Sequence, residues 1–323
     1  MGKPSTGVGL GVALLSAATF GTSGSFARAL TDAGWSPGAA VLARVCIAAL
    51  ALAVPTVLAL RGRWWALRRN LGLVSGFGVI AVAGCQVFYF NAIERLEVGV
   101  ALLLEYMGIL LVVGWLWVRH GHRPRRLTVL GSVVALLGLA LVLDVVGGVD
   151  LDPVGVLWGL GAGTGLAVYF VLSSKEDDDL PPIAVAGGGM LVGAVALLIL
   201  GAARVLPMHA SYGSVYFAGH RASWLVPILG LSLVAAAFAY VTGITAARRL
   251  GPKLASFVGL TEVIFAVLVA WALLDELPSA AQLAGGVLII AGVALVRLDE
   301  LAGPTLTPDP VPVPAEPARS PVG

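Results

Sequence analysis

VGVALLLEYMGILLVVGWLWV (98–118) and LASFVGLTEVIFAVLVAWALL (254–274) are apolar runs that each hold one glutamate. A helix of about 20 apolar residues crosses the ~30 Å hydrocarbon core of a bilayer, so both runs predict membrane-spanning helices. A carboxylate at that depth is costly unless it faces the protein interior or a water-filled path. Glu105 and Glu262 therefore predict a protein that moves something across a membrane.

The whole composition agrees with a membrane protein. Of its 323 residues, 59% are hydrophobic and only 12% are charged, and the mean hydropathy is +0.96. Such values are typical of a chain that crosses the bilayer many times. No polar stretch is long enough for a large water-facing domain. The basic residues occupy short loops between apolar runs, which gives no support for nucleic-acid binding.

Ten apolar segments of helical length follow one another, separated by short loops with turn signals such as Pro37, Pro124 and Pro153. The sequence therefore predicts an all-α integral membrane protein with ten transmembrane helices. Their predicted ranges are 7–30, 37–60, 71–92, 98–118, 127–146, 153–173, 183–203, 224–246, 254–274 and 279–297.

The basic residues are distributed unequally between the two sides of this arrangement. Fifteen lie on the side of the N-terminus, four lie on the other side, and Arg44 lies within the second helix. Loops rich in Lys and Arg stay in the cytoplasm, so both termini are predicted to be cytoplasmic. Arg greatly outnumbers Lys and Ala and Gly are abundant, which favours a bacterial source and hence the bacterial inner membrane.

The chain also contains an internal repeat. A shift of 154 residues aligns 76–142 with 230–296 without a gap, and the repeat unit holds five helices. Because five is odd, the second copy enters the membrane from the opposite side, which is the inverted architecture of many secondary transporters. The predicted units are a first repeat at 1–148, a second at 149–300, and a Pro-rich disordered cytoplasmic tail at 301–323. Identical pairs include Arg95/Arg249, Leu96/Leu250, Ala101/Ala255, Trp117/Trp271, Gly131/Gly285 and Gly138/Gly292.

The two glutamates occupy similar depths in the two repeats. Counted from the predicted helix ends, both lie near the bilayer midplane. Glu105 aligns with Gly259, so Glu262 is offset by three residues, which keeps the carboxylates on similar helix faces one turn apart. The functional interpretation is proton coupling or binding of a cationic group of the substrate. The alternative is a pair of carboxylates that are satisfied by structural partners.

Arg44 and three other polar residues complete the candidate substrate and coupling site. Arg44 has the depth of Glu105, so it either pairs with that carboxylate or binds an anionic substrate. Glu262 has no basic residue at its own depth, which favours it as the group that cycles between protonated and charged forms. Gln86 and Tyr240 share a repeat position and either face a central cavity or join helices, and Tyr106 follows Glu105 directly.

Other chemistry finds little support in the sequence. Cys46 and Cys85 lie in apolar runs and are read as free thiols, and the acidic run at 176–179 is read as a solvated turn. No metal site, cofactor site or catalytic motif is predicted, and the chain is not predicted to be an enzyme. A glycine ridge at Gly155, Gly159 and Gly163, and its shorter counterpart at Gly7 and Gly11, favours helix packing within the bundle; a homodimer interface is the alternative.

Several stretches of the chain resemble the EamA-like ten-helix branch of the drug/metabolite transporter superfamily. They are the Arg44 region, 92–114, FAYVTGITAARRLGPKLASFVGLTEVIFAVLVAWALLDE (238–276) and GGVLIIAGVALV (285–296). Many members carry a proline in the middle of helices four and nine, whereas this chain has Met107-Gly108 and Thr261 beside its two acids. The residues that match the family pattern are Tyr240, Ala246, Ala255, Ser256 and Glu276.

The resemblance implies a secondary transporter that exports a small metabolite, amino acid or drug-like compound by proton antiport with alternating access. Its partners would be the small-molecule substrate, protons and the lipid bilayer. An uncoupled permease or importer on the same fold shares every one of these sequence features. A membrane-embedded enzyme is the less favoured alternative, because no nucleophile or metal cluster is found at one depth.

Overall fold

The computed structural model describes residues 6–96, 98–120, 124–144, 152–175, 179–274 and 277–301. Three features of the sequence lie outside them: the Pro-rich tail after Leu301, most of the acidic run at 176–179, and Glu276. Within these residues, eight helices are long and apolar enough to cross a membrane, and two shorter apolar helices, Arg126–Val142 and Thr261–Leu273, complete the ten predicted spans. The all-α membrane fold of ten helices is confirmed.

The described residues of the first half form nine α-helices, because three of its five spans are interrupted and one loop is helical. The elements are α1 Thr6–Gly21, α2 Ser23–Asp32, α3 Pro37–Ala59, α4 Trp64–Arg69, α5 Leu71–Gly76, a π-helical segment Phe77–Gly84, α6 Cys85–Ile93, α7 Val98–Tyr106, α8 Gly108–His120 and α9 Arg126–Val142. The second span shows why helices begin where the turn signals predict: Pro37 occupies its first turn, and the Ser36 side chain accepts a hydrogen bond from the Ala39 N–H at 3.3 Å.

The second five spans follow the same plan. The elements are α10 Pro153–Ser173, α11 Pro182–Ala202, strands β1 Ser214–Phe217 and β2 His220–Ser223, α12 Leu225–Leu229, a π-helical segment Gly230–Phe238, α13 Ala239–Gly259, α14 Thr261–Leu274 and α15 Ala280–Leu301. Within α13, Gly251 has φ +76° and interrupts the helix before Pro252, so spans eight and nine meet at this kink.

The contact between α9 and α15 displays the inverted repeat. Gly131 lies against the Gly292 carbonyl, and Gly138 lies against the Gly285 carbonyl. These four glycines are two repeat pairs, and each pair has exchanged partners, as a two-fold axis between the helices requires. A Cβ atom at any of the four would stand within 2.8 Å of backbone of the facing helix, so only glycine allows this approach.

Two further features recur in both halves. The π-helical segments Phe77–Gly84 and Gly230–Phe238 overlap almost completely after the 154-residue shift. Gly155 of α10 packs against Arg95 and Leu96, and Gly9 of α1 packs against their repeat partners Arg249 and Leu250. Local backbone distortion and close packing therefore repeat together, which the sequence identities alone did not reveal.

The glycine ridge on α10 packs inside the bundle. Gly155, Gly159 and Gly163 face residues 95–108 of the same chain, whereas a Cβ at Gly7 or Gly11 would meet no atom within 4 Å. For Gly7 and Gly11 the expectation of packing within the bundle was therefore wrong: the close contact of α1 is made by Gly9, because the helix turns that residue toward α13. Large apolar side chains on the outside, such as Leu50 and Val118, are exposed as in a lipid-facing belt.

The loop between spans seven and eight contains a β-hairpin that the sequence analysis did not predict. Strands β1 and β2 pair antiparallel, and Phe217 of β1 packs against Phe26 of α2 with ring centroids 5.4 Å apart. The loop is also fastened to the start of span two, since the Ser36 hydroxyl donates to the Pro207 carbonyl at 2.7 Å and accepts from the His209 N–H at 2.9 Å. The hairpin thus lies at the far end of the first span.

Candidate functional site

A cavity of about 770 Å³ extends from the middle of the bundle to one membrane face. We call this face the open side; it holds the ends of α2 and α9 and the starts of α3, α7 and α15. Thr31, Pro37 and Leu277 line the cavity at that end. Tyr169, Tyr240 and other side chains of α10 and α13 line its floor, and its deepest lining residues include Phe170, Ala246 and Ala255. The mouth of the cavity thus lies on the open side.

All six residues that the sequence singled out line this one cavity. They are Arg44, Gln86, Glu105, Tyr106, Tyr240 and Glu262. They come from five spans and both halves of the chain, so the cavity lies where the repeats face each other. Gln86 and Tyr240 both reach it, as a shared repeat position facing the two-fold axis requires.

Interruptions in two helices position the two acids. Span four breaks at Met107 between α7 and α8, and span nine breaks at Leu260 between α13 and α14. At each break the chain makes a tight turn: the Leu110 N–H donates to the Met107 carbonyl, and the Val263 N–H donates to the Leu260 carbonyl. Glu105 lies two residues before one break, and Glu262 lies two residues after the other.

Neither break contains a proline, and glycines at the crossing helices account for their position. Gly163 of α10 lies against the carbonyls of Leu104 and Glu105, and Gly108 lies against Gly163 in return. On the other side, Gly21 lies against the carbonyl of Glu262. Close backbone contact on one side of each acid leaves its side chain directed toward the cavity.

Arg44 is anchored to the cavity wall rather than to Glu105. Its guanidinium donates to the Ala235 carbonyl at 2.6 Å, within the π-helical segment Gly230–Phe238. Among the described residues it forms no ion pair within 4.0 Å, although it interacts electrostatically with both Glu105 and Glu262. The structure therefore does not join Arg44 directly to Glu105, since a backbone carbonyl takes its place.

The two acids have different close neighbours. The Cys85 thiol donates to the Glu105 carboxylate at a sulfur–oxygen distance of 3.3 Å, and also contacts the Ala162 carbonyl. Tyr106, from the first half of the chain, lies beside Glu262 of the second half. The reading of Cys46 and Cys85 as free thiols is confirmed, but the contact of Cys85 with the site was missed because its repeat position holds only Ala239.

An aromatic floor closes the inner end of the cavity. Tyr240 lies 5.1 Å from Phe20 and 5.5 Å from Tyr169, and Tyr169 lies 5.7 Å from Phe77, all between ring centroids. The Tyr169 hydroxyl is buried without a hydrogen-bond partner among the described residues, and it faces Gly243. This floor was not predictable from the sequence, because single aromatic residues in different apolar helices do not reveal that they meet.

Polar contacts hold the helices together at the face opposite the open side, which we call the closed side. The Lys253 ammonium lies 3.5 Å from the buried Asp299 carboxylate and 3.7 Å from that of Glu300, while the Thr128 hydroxyl donates to Asp299 at 2.6 Å. The Arg248 guanidinium donates to the Leu180 carbonyl at 2.6 Å. The first contacts therefore join spans five, nine and ten below the aromatic floor. The last contact joins span eight to the loop before span seven.

No group of three or more His, Cys, Asp or Glu side chains in the described part of the chain could hold a metal ion. The deep part of the cavity is lined by two carboxylates, the Arg44 guanidinium, several phenols and the Gln86 amide. Such groups can bind and orient a polar or charged solute, and they can exchange protons.

Comparisons with known proteins agree with this geometry. A solved crystal structure superposes with a TM-score of 0.70 at 20% identity, over 92% of this chain and 99% of the other, which shows a shared fold. An uncharacterized transporter of Archaeoglobus fulgidus is 31% identical over 228 residues, 71% of this chain and 76% of that protein. An uncharacterized inner membrane transporter of Salmonella typhimurium, YicL, is 22% identical over 69% of this chain and 72% of its own length.

The family comparison matches both halves of the chain separately. The profile of the EamA-like transporter family covers residues 7–144 and again residues 153–298. The two matches fall on the two inverted repeats and together include every residue that lines the cavity. The protein is a multi-pass membrane transporter, and the chain belongs to the EamA-like transporter family.

Proposed function

We propose that this transporter exports a small organic solute in exchange for protons, with Glu105 and Glu262 as the coupling groups. The observation that supports this proposal most directly is that both carboxylates line one cavity, beside the two helix breaks, and that residues of the open side line the mouth of this cavity. A buried carboxylate that can be neutralised by a proton or by a ligand links the two binding events. The volume of about 770 Å³ suits a metabolite rather than a macromolecule.

The orientation follows from the basic residues. Lys253, Arg297 and the other residues of the basic-rich loops lie on the closed side, and this side is cytoplasmic by the positive-inside rule. The cavity then opens to the outside of the cell, and both termini lie in the cytoplasm. The name of the Salmonella relative, an inner membrane transporter, supports the bacterial inner membrane as the location.

Alternating access requires a second state in which the cavity opens to the cytoplasm. The breaks at Met107 and Leu260 divide spans four and nine into half-helices that can tilt separately. Opening of the closed side would separate Lys253 from Asp299 and Arg248 from Leu180. Rocking of the two repeats about the cavity would close the open side at the same time.

Export is tested first in cells. Medium from cells that express the wild type, Glu262→Gln or Glu94→Gln is compared by untargeted mass spectrometry. Glu94 is an exposed acid outside the cavity and serves as the matched control. Solutes that accumulate with the wild type and Glu94→Gln should be absent with Glu262→Gln, because the amide cannot exchange a proton.

Coupling is then tested with the identified solute in proteoliposomes. An acidic exterior should accelerate efflux by the wild type, leave Glu262→Gln without response, and give partial response with Glu262→Asp. Size-exclusion profiles establish that each variant is folded. Efflux by the wild type that ignores the pH gradient would identify an uncoupled permease and refute the proposal, as would an unchanged gradient response of Glu262→Gln.

A further inference from the structure

The deep part of the cavity contains more negative than positive groups. Glu105 and Glu262 line it together with one cation, Arg44. Arg28, the other basic residue of the lining, lies at the mouth and pairs with Asp32 at 3.9 Å. When both carboxylates are ionised, one negative charge therefore has no countercharge among the described residues of the deep cavity. A buried charge without a partner is costly, so this position calls for a proton or for another cation.

The anchoring of Arg44 limits what else the cavity can hold. Its guanidinium already donates to the Ala235 carbonyl, and its positive charge interacts electrostatically with Glu105 and Glu262. An anionic solute would have to lie beside two carboxylates and compete with them for this single cation. Like charges placed together in a site of low dielectric repel strongly, which disfavours such a solute.

The floor of the cavity favours a cation with an apolar body. Phe20, Tyr169 and Tyr240 form a continuous aromatic surface with centroid distances of 5.1 to 6.5 Å. The faces of aromatic rings attract ammonium groups and cover apolar surface. The buried Tyr169 hydroxyl, which has no hydrogen-bond partner among the described residues, can donate to or accept from a ligand at this floor.

We propose that the transported solute is an organic cation, an amine with an aromatic or other apolar body, whose ammonium group binds between Glu105 and Glu262 above this floor. This inference rests on the proposed function, and it specifies how the solute is exchanged for a proton. In the state open to the cytoplasm, one ammonium group replaces one proton on the carboxylate pair, and that proton leaves to the cytoplasm. In the outward-open state, a proton from outside replaces the ammonium group, and the amine leaves through the cavity mouth. The net charge of the occupied and the protonated site is then the same.

The experiment compares ligands that share one ring and differ in charge. Purified wild-type protein is titrated with 2-phenylethylamine, 2-cyclohexylethylamine, L-phenylalanine, 3-phenylpropionate and 2-phenylethanol, and unfolding is followed by intrinsic tryptophan fluorescence. Both amines should raise the melting temperature, whereas the anion and the alcohol should not. Stabilisation by neither amine, stronger stabilisation by 3-phenylpropionate, or stronger stabilisation by L-phenylalanine would overturn the proposal.

Variants then assign the effect to the site. Glu105→Gln and Glu262→Gln should each weaken 2-phenylethylamine binding about tenfold or more, since a charged hydrogen-bond acceptor is lost. Glu94→Gln should bind like the wild type. Unchanged binding by both cavity variants would overturn the assignment. These measurements need no transport, so failure of coupled efflux with intact amine binding would reject only the proposed function.

Discussion

The contact between α9 and α15 allows a stability prediction with a defined size. In the variant Gly138→Ala, the new Cβ would lie 2.6 Å from the Gly285 carbonyl oxygen and 2.8 Å from the Leu288 Cβ and the Ile289 nitrogen. Ordinary van der Waals contact begins at 3.4 Å, so the helices must separate. None of these atoms can move by a rotamer change. Overpacking of this kind costs about 1–3 kcal/mol.

A matched control removes the effect of helix propensity. Alanine favours a helix over glycine by about 1 kcal/mol at any interior position. Gly114 lies within α8, where a new Cβ would meet no atom within 4 Å, so Gly114→Ala has the same gain without the clash. The difference in unfolding free energy between Gly138→Ala and Gly114→Ala therefore isolates the steric term. The repeat relation predicts a similar cost for Gly292→Ala, whose Cβ would lie 2.6 Å from the Gly131 carbonyl oxygen.

The assay is thermal unfolding of the detergent-purified variants, followed by tryptophan fluorescence. Gly138→Ala and Gly292→Ala should both melt below Gly114→Ala. If Gly138→Ala melts at or above the control, the two helices do not approach as closely as described. If only one of the two repeat partners is sensitive, the pseudo-symmetric exchange of glycine contacts is refuted.

Three further predictions concern the closed side, the start of α10 in span six, and the topology. Lys253→Met should lower stability by about 3–5 kcal/mol, because Asp299 loses its buried partner, and adding Asp299→Asn should recover most of the loss in the same melting assay. The Val154 N–H donates to the Asp152 carboxylate and holds the pKa of that group below its ordinary value. This interaction therefore stabilises the folded protein fully above the ordinary pKa of aspartate, and the stabilisation is lost as the pH falls through the lowered pKa. The variant Asp152→Asn, whose side chain still caps the helix, should therefore lose less stability than the wild type when the pH is lowered. An equal loss of stability in both proteins would show that Asp152 does not contribute to the acid response. A reporter fused after the last residue should be active only in the cytoplasm; activity outside would reverse the proposed orientation.

The number of spans and their inverted order were predictable because both follow from residue count. Twenty apolar residues fix one crossing, and five crossings per repeat fix the inversion. The depths of Glu105 and Glu262 follow from the same count at 1.5 Å per residue. The glycine pairs of α9 and α15 were visible as identities, although their exchange of partners required the structure.

Rotation about the helix axis was harder to predict than depth. A π-helical segment holds more residues per turn than an α-helix, so Phe77–Gly84 and Gly230–Phe238 change the direction in which later side chains point. Equal depth left open whether Arg44 pairs with Glu105 or binds an anionic substrate, and it gave no sign that the guanidinium contacts Ala235 of a π-helical segment. The aromatic floor also depends on rotation about the helix axes. Phe20 and Tyr169 belong to helices that are far apart in sequence, and their rings meet only because both helices turn these side chains toward each other.

The offset between the two acids acquires a physical meaning at the helix breaks. With strict repeat symmetry, the counterpart of Glu105 would be Gly259, which precedes the break at Leu260 and belongs to the closed-side half of span nine. The three-residue offset moves the second acid past the break to Glu262, into the half-helix on the open side. Glu105, at the end of α7, also belongs to an open-side half-helix. An inverted repeat alone would direct one acid toward each face, and this local departure from symmetry brings both carboxylates into the same cavity.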